Sequence, residues 1–290
     1  MTRIAVLSDI HGNGTAFAAV LRDLESYSTS QAIDQVIIAG DAINWGPDNI
    51  DVMDHIVREG WAVIRGNQEL YMIDQDTPRA PASWANFTIS RWTRNQLGEK
   101  RIQKIATWPD ALSLRFRDAP SVRVVHGSPR SHFEGLYEIM SDAEIAEILA
   151  GVEEETVLCG HTHLPMDRIA GKWHIFNSGT VGMPLNGLME STYWVLDGDW
   201  SGWHGTLRRV PLDPEPPIRE LQRLRFVEEC GITAALVLEE YRTSRLRVHP
   251  FNQWRAKVET DGLSEDELLP RFLSEADFWD YTPQEYHLNR

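Results

Sequence analysis

The chain has 290 residues and a formal charge of −15, enough for one large core plus an appendage, with a charge that argues against a general nucleic-acid binder, which would present a basic face. No segment is long and apolar enough to cross a bilayer, and two cysteines, Cys159 and Cys230, do not make a disulfide scaffold. Met1 leads straight into a strand with chemistry at its far end, so no cleavable leader and no membrane partner are expected, and a cytoplasmic location is.

In chain order, the first apolar run, Ile4-Ala5-Val6-Leu7, ends in Asp9-Ile10-His11-Gly12-Asn13. Val- and Ile-rich runs of this length, bounded by Gly, Asp or Asn, predict buried strands. Helical spacing follows from Thr15 to Leu24. The second run, Val36-Ile37-Ile38-Ala39, ends in Gly40-Asp41, and Ile50, Met53, Ile56 and Val57 predict the next helix. The third, Ala62-Val63-Ile64, ends in Gly66-Asn67. Residues 82–105, with Trp84, Phe87, Trp92 and Leu97, predict a helical insertion whose two tryptophans are expected in the core. The fourth run, Val122-Arg123-Val124-Val125, ends in His126-Gly127. Ser141-Asp142-Ala143-Glu144 has the spacing of a capping box and predicts a helix running to about Ala150. The fifth run, Thr156-Val157-Leu158-Cys159, ends in Gly160-His161-Thr162-His163.

After these motifs, residues 173–176, 192–196 and 206–210 predict antiparallel strands, with Asp197-Gly198-Asp199 as the turn between the last two. Pro211, Pro214, Pro216 and Pro217 predict a linker. Helix is expected from Ile218 to about Arg242, and a last helix from near Ser264. The expected division is a domain over 1–212 and a helical accessory region over 213–290, through which a homo-oligomer would form. Arg242, Arg245 and Arg247 are expected on a solvated helix face.

Ligand groups of layered α/β proteins gather outside the carboxyl ends of strands. Asp9 and His11, two apart, fall on one side of an extended chain, and His161 and His163 repeat the spacing. Asp41 and Asn67 add oxygen donors, and His126 adds another imidazole. Taken singly, a buried His is more often packed, and an Asp after a strand is more often a helix cap. Five such clusters at five strand ends are not independent accidents. Four His, two Asp and one Asn exceed a catalytic zinc site with three protein ligands and suit two ions bridged by one carboxylate. Nitrogen and oxygen donors without thiolate suit Mn²⁺, Fe or Zn²⁺ better than Ca²⁺. Two divalent ions are therefore expected, Mn²⁺ first, with Fe, Zn²⁺, Ni²⁺ or Mg²⁺ as alternatives. They would make the site electropositive within an acidic chain, so a small anionic, phosphorylated substrate is admitted.

Taken together and in order, Asp9-x-His11-Gly12-Asn13, Gly40-Asp41, Gly66-Asn67, His126-Gly127 and Gly160-His161-x-His163 resemble the calcineurin-like metallophosphoesterase superfamily over roughly residues 1–210. His126-Gly127-Ser128-Pro129 and Asn177-Ser178-Gly179-Thr180-Val181-Gly182 are most similar to its small bacterial phosphodiesterase-like branch. The resemblance implies an α/β fold, a four-layer α/β/β/α sandwich of two mixed sheets, here with a helical C-terminal extension. It implies Asp9, His11 and His163 on a first ion, Asn67, His126 and His161 on a second, and Asp41 bridging. It further implies hydrolysis by a metal-bridging hydroxide, with Asp41, Asn67 and position 68 as the catalytic positions.

Two positions depart from the family pattern. The family usually has Gly-Asn-His-Asp/Glu, and this chain has Gly66-Asn67-Gln68-Glu69. The family's His is the implied proton donor to the leaving group; Gln68 donates a hydrogen bond but no proton near neutral pH. Some phosphodiesterases of the branch also lack this His. Protein phosphatases of the superfamily carry an Arg shortly after Gly-Asp to clamp phosphate, and here Trp45 stands in its place. The candidate substrate-binding residues are Asn13, Trp45, Arg130 and His132. For these the alternatives are a turn for Asn13, loop packing for Trp45, and a solvated loop for Arg130 and His132. The function expected is a phosphoesterase acting on small phosphodiesters or nucleotides. The alternatives are a phosphomonoesterase of the same superfamily and a catalytically weakened metal-binding interaction scaffold.

Overall fold

Alternation of side chains within the strands decides the layering. In the computed structural model, which describes residues 1–82, 84, 87–258 and 263–275, the first strand is β1 (Thr2–Leu7). Its Ala5 and Leu7 face one buried cluster while Ile4 and Val6 face another, so the strand is covered on both sides. β2 (Gln35–Ile38) pairs with it in parallel and β3 (Ala62–Val63) with β2 in parallel. β9 (Glu190–Asp199) pairs with β1 antiparallel and closes a hairpin with β10 (Gly202–Pro211), giving the order β10-β9-β1-β2-β3. The second sheet is built from β4 (Ala111–Leu114), β5 (Val122–Val125), β6 (Thr156–Cys159), β7 (Pro165–Ala170) and β8 (Trp173–Ser178), in the order β4-β5-β6-β8-β7. Its three central strands are parallel and its two edges antiparallel.

Ile4, Val6, Ile37 and Ala39 of the first sheet meet Val122, Val124, Leu158 and Phe176 of the second in one buried cluster. The outer face of the first sheet is covered by α1 (Gly14–Ser28), α2 (Asn49–Glu59) and α4 (Thr88–Ala106), and that of the second by α5 (Asp142–Ile148). Between α2 and α4 lies α3 (Asn67–Asp74). This is the α/β/β/α sandwich of two mixed sheets that the resemblance implies. Among the described residues no helix is long and apolar enough to cross a membrane. The capping box at α5 forms: Glu144 N donates to Ser141 Oγ at 3.3 Å, and Ser141 N donates to Glu144 Oε2 at 2.7 Å.

Four local expectations are corrected. The 173–176 segment belongs to β8 in the second sheet and does not pair with β9; its partners are β6 in parallel and β7 antiparallel. The β9–β10 turn lies at Trp200-Ser201, because the Asp199 carboxylate accepts from Ser201 N at 2.7 Å and Gly198 remains in the ladder opposite Trp203. A Cβ on Gly198 would come within 2.6 Å of the Trp203 ring, so the glycine serves ring packing and not the turn. The helix expected from Ile218 to Arg242 is three: α6 (Glu215–Arg223), α7 (Phe226–Cys230) and α8 (Ile232–Thr243). Arg225 and Gly231 interrupt it, with φ of 57° and 71°. Pro216 and Pro217 sit in the first turn of α6, where a missing N–H loses no hydrogen bond. Finally, Arg247 is buried and donates to the Leu246 carbonyl, so it is not on a solvated face.

α9 (Val248–Arg255) and α10 (Glu265–Glu275) follow. The core of these C-terminal helices takes in Ile89 of α4 and Met183 and Leu185 of the loop after β8, with Trp45 and Trp92 packed against it.

Candidate metal centre

Every proposed ligand lies just beyond a strand's carboxyl end: Asp9 and His11 after β1, Asp41 after β2, Asn67 after β3, His126 after β5, and His161 and His163 after β6. The loops hold one another through main-chain bonds. Asp9 N donates to Gly40 O at 3.1 Å, His11 N to Asp41 O at 3.0 Å, and Gly160 N to His126 O at 2.9 Å. Gly160 lets the two sheets' loops meet, since a Cβ there would overlap Ser8 Oγ. Asp9, His11, Asp41, His161 and His163 all have φ between 50° and 68°. The left-handed region is disfavoured for side-chain-bearing residues by about 1–2 kcal/mol each. Strain is thus gathered on the proposed ligands.

The side chains form two groups. Asp9, His11 and His163 make one, and Asp41, His126 and His161 the other; within each, one ligand atom per residue lies within 4.8 Å of the others. Asn67 joins the second, with Oδ1 3.1 Å from His126 Nε2. Asp41 Oδ2 lies 3.2 Å from His126 Nε2 and 3.9 Å from His11 Nε2, so one carboxylate oxygen faces both groups.

The donors fit cations. His126 Nδ1 donates to Ala39 O at 2.8 Å and His163 Nδ1 to Met183 O at 2.5 Å. A carbonyl accepts only from N–H, so in each neutral ring Nε2 turns a lone pair to the site. Asp9 Oδ2 accepts from His161 N at 3.0 Å, whereas Asp9 Oδ1 is buried without a donor. His11 Nε2 and His163 Nε2 stand 3.1 Å apart beside it. Acceptors gathered this closely in a buried site are what a divalent ion satisfies.

Electrostatics agree. Burial resists ionisation of Asp9, but the His163 charge and the neighbouring imidazoles hold its pKa well below the usual carboxylate range. Burial likewise opposes the Asp41 carboxylate, and His126 outweighs it. Burial alone would lower His126; Asp41 and Asp9 instead carry it up to about 10. His161 is pushed down to about 3 by burial and the His126 charge, which outweigh the upward pull of Asp41 and Asp9. The field that draws a proton onto His126 draws a metal cation in its place.

Three contributing residues had no role in the sequence reading. Glu69 is buried and accepts four main-chain N–H groups: Gly66 at 2.7 Å, Asp41 and Ala42 at 2.9 Å, and Ile43 at 3.3 Å. It moulds the loop that aims Asp41. Burial and the Asp41 charge push its pKa up to about 7 while the amides favour the anion. Its sequence signal is a Glu three residues after Gly66 at a helix start. Asn44 donates to Gln68 Oε1 at 2.7 Å and to Ser90 Oγ at 3.3 Å, and accepts from Thr93 at 2.9 Å. Burial and the Asp41 charge push the Tyr71 pKa up, and the Asn67 side chain one turn before it opposes that; the i, i+4 spacing was its signal. Glu69→Ala is expected to cost about 3 kcal/mol or more, because it strands several buried amides. Glu69→Gln, which keeps acceptor oxygen, should cost less. Denaturant midpoints for both variants check this order.

The candidate substrate residues are placed unevenly. Asn13 is buried with both ends of its amide committed: Oδ1 caps Ala16 N at 3.1 Å and Nδ2 donates to Gly182 O at 2.8 Å. Trp45 is half-buried, its ring 5.6 Å from that of His11. Arg130 is exposed and paired with Glu134 and Glu147. His132 lies 3.2 Å from Asp110, which also pairs with Arg65.

Known proteins resemble this chain in sequence or in fold. An uncharacterized protein of Methanocaldococcus jannaschii is 21% identical over 209 residues, 67% of this chain and 82% of its own. The crystal structure of a metallophosphoesterase from Sphaerobacter thermophilus superposes with a TM-score of 0.65 at 22% identity, covering 84% of this chain and all of that one. A hypothetical protein from Pyrococcus horikoshii superposes with a TM-score of 0.69 at 20% identity, covering 82% and 98%. The model of the calcineurin-like phosphoesterase superfamily domain matches residues 2–199. That span runs from β1 through β9 and holds all seven proposed ligand positions; the chain belongs to the calcineurin-like phosphoesterase superfamily and is a metal-dependent phosphoester hydrolase by family.

Proposed function

We propose that this chain is a dinuclear metallophosphodiesterase acting on small phosphodiesters or nucleotides, with Mn²⁺ as the preferred ion. The observation that carries the reading is the position of Asp41 Oδ2, 3.2 Å from His126 Nε2 and 3.9 Å from His11 Nε2, because a carboxylate shared by two ligand groups suits a pair of ions. Divalent ions held there would supply Lewis-acid polarisation of phosphoryl oxygens and activation of water near neutral pH.

The chain's own residues do the rest. The Ala39 and Met183 carbonyls fix the rings of His126 and His163. Glu69 fixes the backbone of Asp41, and Gln68 N donates to Asp41 Oδ1 at 2.8 Å. Asn44 holds the carbonyl end of the Gln68 amide, which leaves Gln68 a donor that can hold a phosphoryl oxygen without releasing a proton. Preference for diesters follows from Trp45. A monoester carries about −1.5 to −2 charges near neutral pH, a diester one, and the residue that would clamp the extra charge is absent. Two free buried thiols suit a reducing compartment and support a cytoplasmic location.

The Mn²⁺-loaded protein is expected to cleave bis-p-nitrophenyl phosphate with kcat/KM at least about tenfold above that for p-nitrophenyl phosphate, roughly 1.4 kcal/mol in transition-state binding. A chelator should stop both reactions. The reverse preference would replace this reading with a phosphomonoesterase. Gln68 favours a second reading, a metal-binding interaction scaffold, and no turnover by fully loaded protein would establish it.

A further inference from the structure

Asn67 opens α3, and Tyr71, four residues on, lies one helical turn later on the same face. The Tyr71 ring then meets three more. Trp84 stands 4.6 Å away at 81°, Phe87 5.1 Å away at 87°, and Phe133 5.8 Å away at 53°. Trp84 and Phe87 lie nearly parallel, at 18° and 6.1 Å, and Trp84 is 6.2 Å from Phe133. Three separate segments supply these rings. Two of them carry a ligand: α3 begins with Asn67, and Phe133 sits seven residues after His126 on the same loop.

Trp84, Phe87 and Phe133 belong to none of the four hydrophobic cores, against the expectation that Trp84 is a core residue. Phe133 is 42% exposed. Trp45, the aromatic residue beside His11, instead packs against the core of the C-terminal helices. The rings of Trp84, Phe87 and Phe133, packed on Tyr71 at the edge of the first core and next to a site for charged groups, mark a surface for a ligand.

We propose that Phe133, Trp84 and Phe87 form a specificity-determining wall that receives the planar base of a nucleotide phosphoester held at the Asn67 end of the metal centre. The inference rests on the phosphoesterase reading and adds the class of group attached to the phosphate. Ring faces stack on any base and do not read hydrogen bonds, so the wall selects a base over an alkyl group and tolerates different bases. Tyr71, one turn from the proposed ligand Asn67, joins the wall to the metal centre.

The test uses two Mn²⁺-loaded substrates with one leaving group, the p-nitrophenyl ester of adenosine 5′-phosphate and methyl p-nitrophenyl phosphate. Wild-type protein should favour the nucleoside ester. Phe133→Ala should raise KM for that ester about fivefold to a hundredfold, the range of base–aromatic stacking, with kcat kept and the methyl ester unaffected. Phe133→Tyr, which keeps the ring face, should restore KM. Equal KM changes on both esters, or a lowered Tm with unchanged KM, overturns the wall. If wild-type protein cleaves neither ester, the phosphoesterase reading fails, and the wall is decided by calorimetry with adenosine 5′-monophosphate. Weaker binding by Phe133→Ala supports it, and equal binding overturns it.

Discussion

Asp41→Ala is expected to strip metal from both ligand groups at once and to lower kcat by about a thousandfold or more, since the several kcal/mol of charge stabilisation that metal ions give would be lost. The expectation follows from one oxygen, Asp41 Oδ2, lying 3.2 Å from His126 Nε2 and 3.9 Å from His11 Nε2. Asp9→Ala removes a carboxylate that faces only His11 and His163 in its ligand group, so it should empty the first group and leave the second partly loaded. Elemental analysis of wild-type protein should give about two ions per chain, with Asp9→Ala near one and Asp41→Ala near none. Backbone strain is controlled by Asp41→Asn. Residue 41 has φ 50°, and asparagine tolerates that region better than alanine. Asp41→Ala holding the same metal as wild type would remove the shared-carboxylate model. Loss in Asp41→Ala but full retention in Asp41→Asn would assign the effect to the loop's shape instead.

The strand ends that bring the proposed ligands together were legible because their signals are local. A buried strand shows as a short Val- and Ile-rich run, and Asp, His and Asn beside Gly mark where it ends. The edge strands of the second sheet were not legible. β4 has no fully buried residue, and β7 alternates exposed and buried positions after Pro165; neither has the apolar run that announces a central strand. Sheet membership was harder still, because the choice of β6 and β7 as partners for β8 is a long-range packing decision that no window of sequence contains. Pro216 and Pro217 misled in the opposite sense, since proline both ends a helix and opens one. The supporting residues were hidden by separation. Glu69 acts on the amides of Asp41, Ala42 and Ile43, up to 28 positions away, and Asn44 reaches Ser90 across 46. Such partners become visible only when the loops have been brought together.

Gln68→His should accelerate cleavage of alkyl or ribose phosphodiesters by about a hundredfold to ten-thousandfold, the usual contribution of general acid catalysis, and change p-nitrophenyl ester cleavage little. A nitrophenolate leaves as an anion, whereas an alkoxide needs a proton, and the Gln68 amide has none to give near neutral pH. The surroundings are already suited to an imidazole. Gln68 is buried, and its Oε1 accepts from Asn44 Nδ2 at 2.7 Å. A histidine nitrogen at that place would accept the same bond, which sets the tautomer and turns the other nitrogen's proton away from Asn44. Asn44 is itself held by Thr93 at 2.9 Å, so its donor stays in position through the substitution. If the imidazole works in this way, Asn44→Ala in the Gln68→His background should erase most of the gain on alkyl esters and leave nitrophenyl rates unchanged. Steady-state rates on both ester types, at full metal occupancy, decide the matter. Equal gains on both types, or none on either, would show that residue 68 does not face the leaving group, and His132 would then be the next proton donor to test.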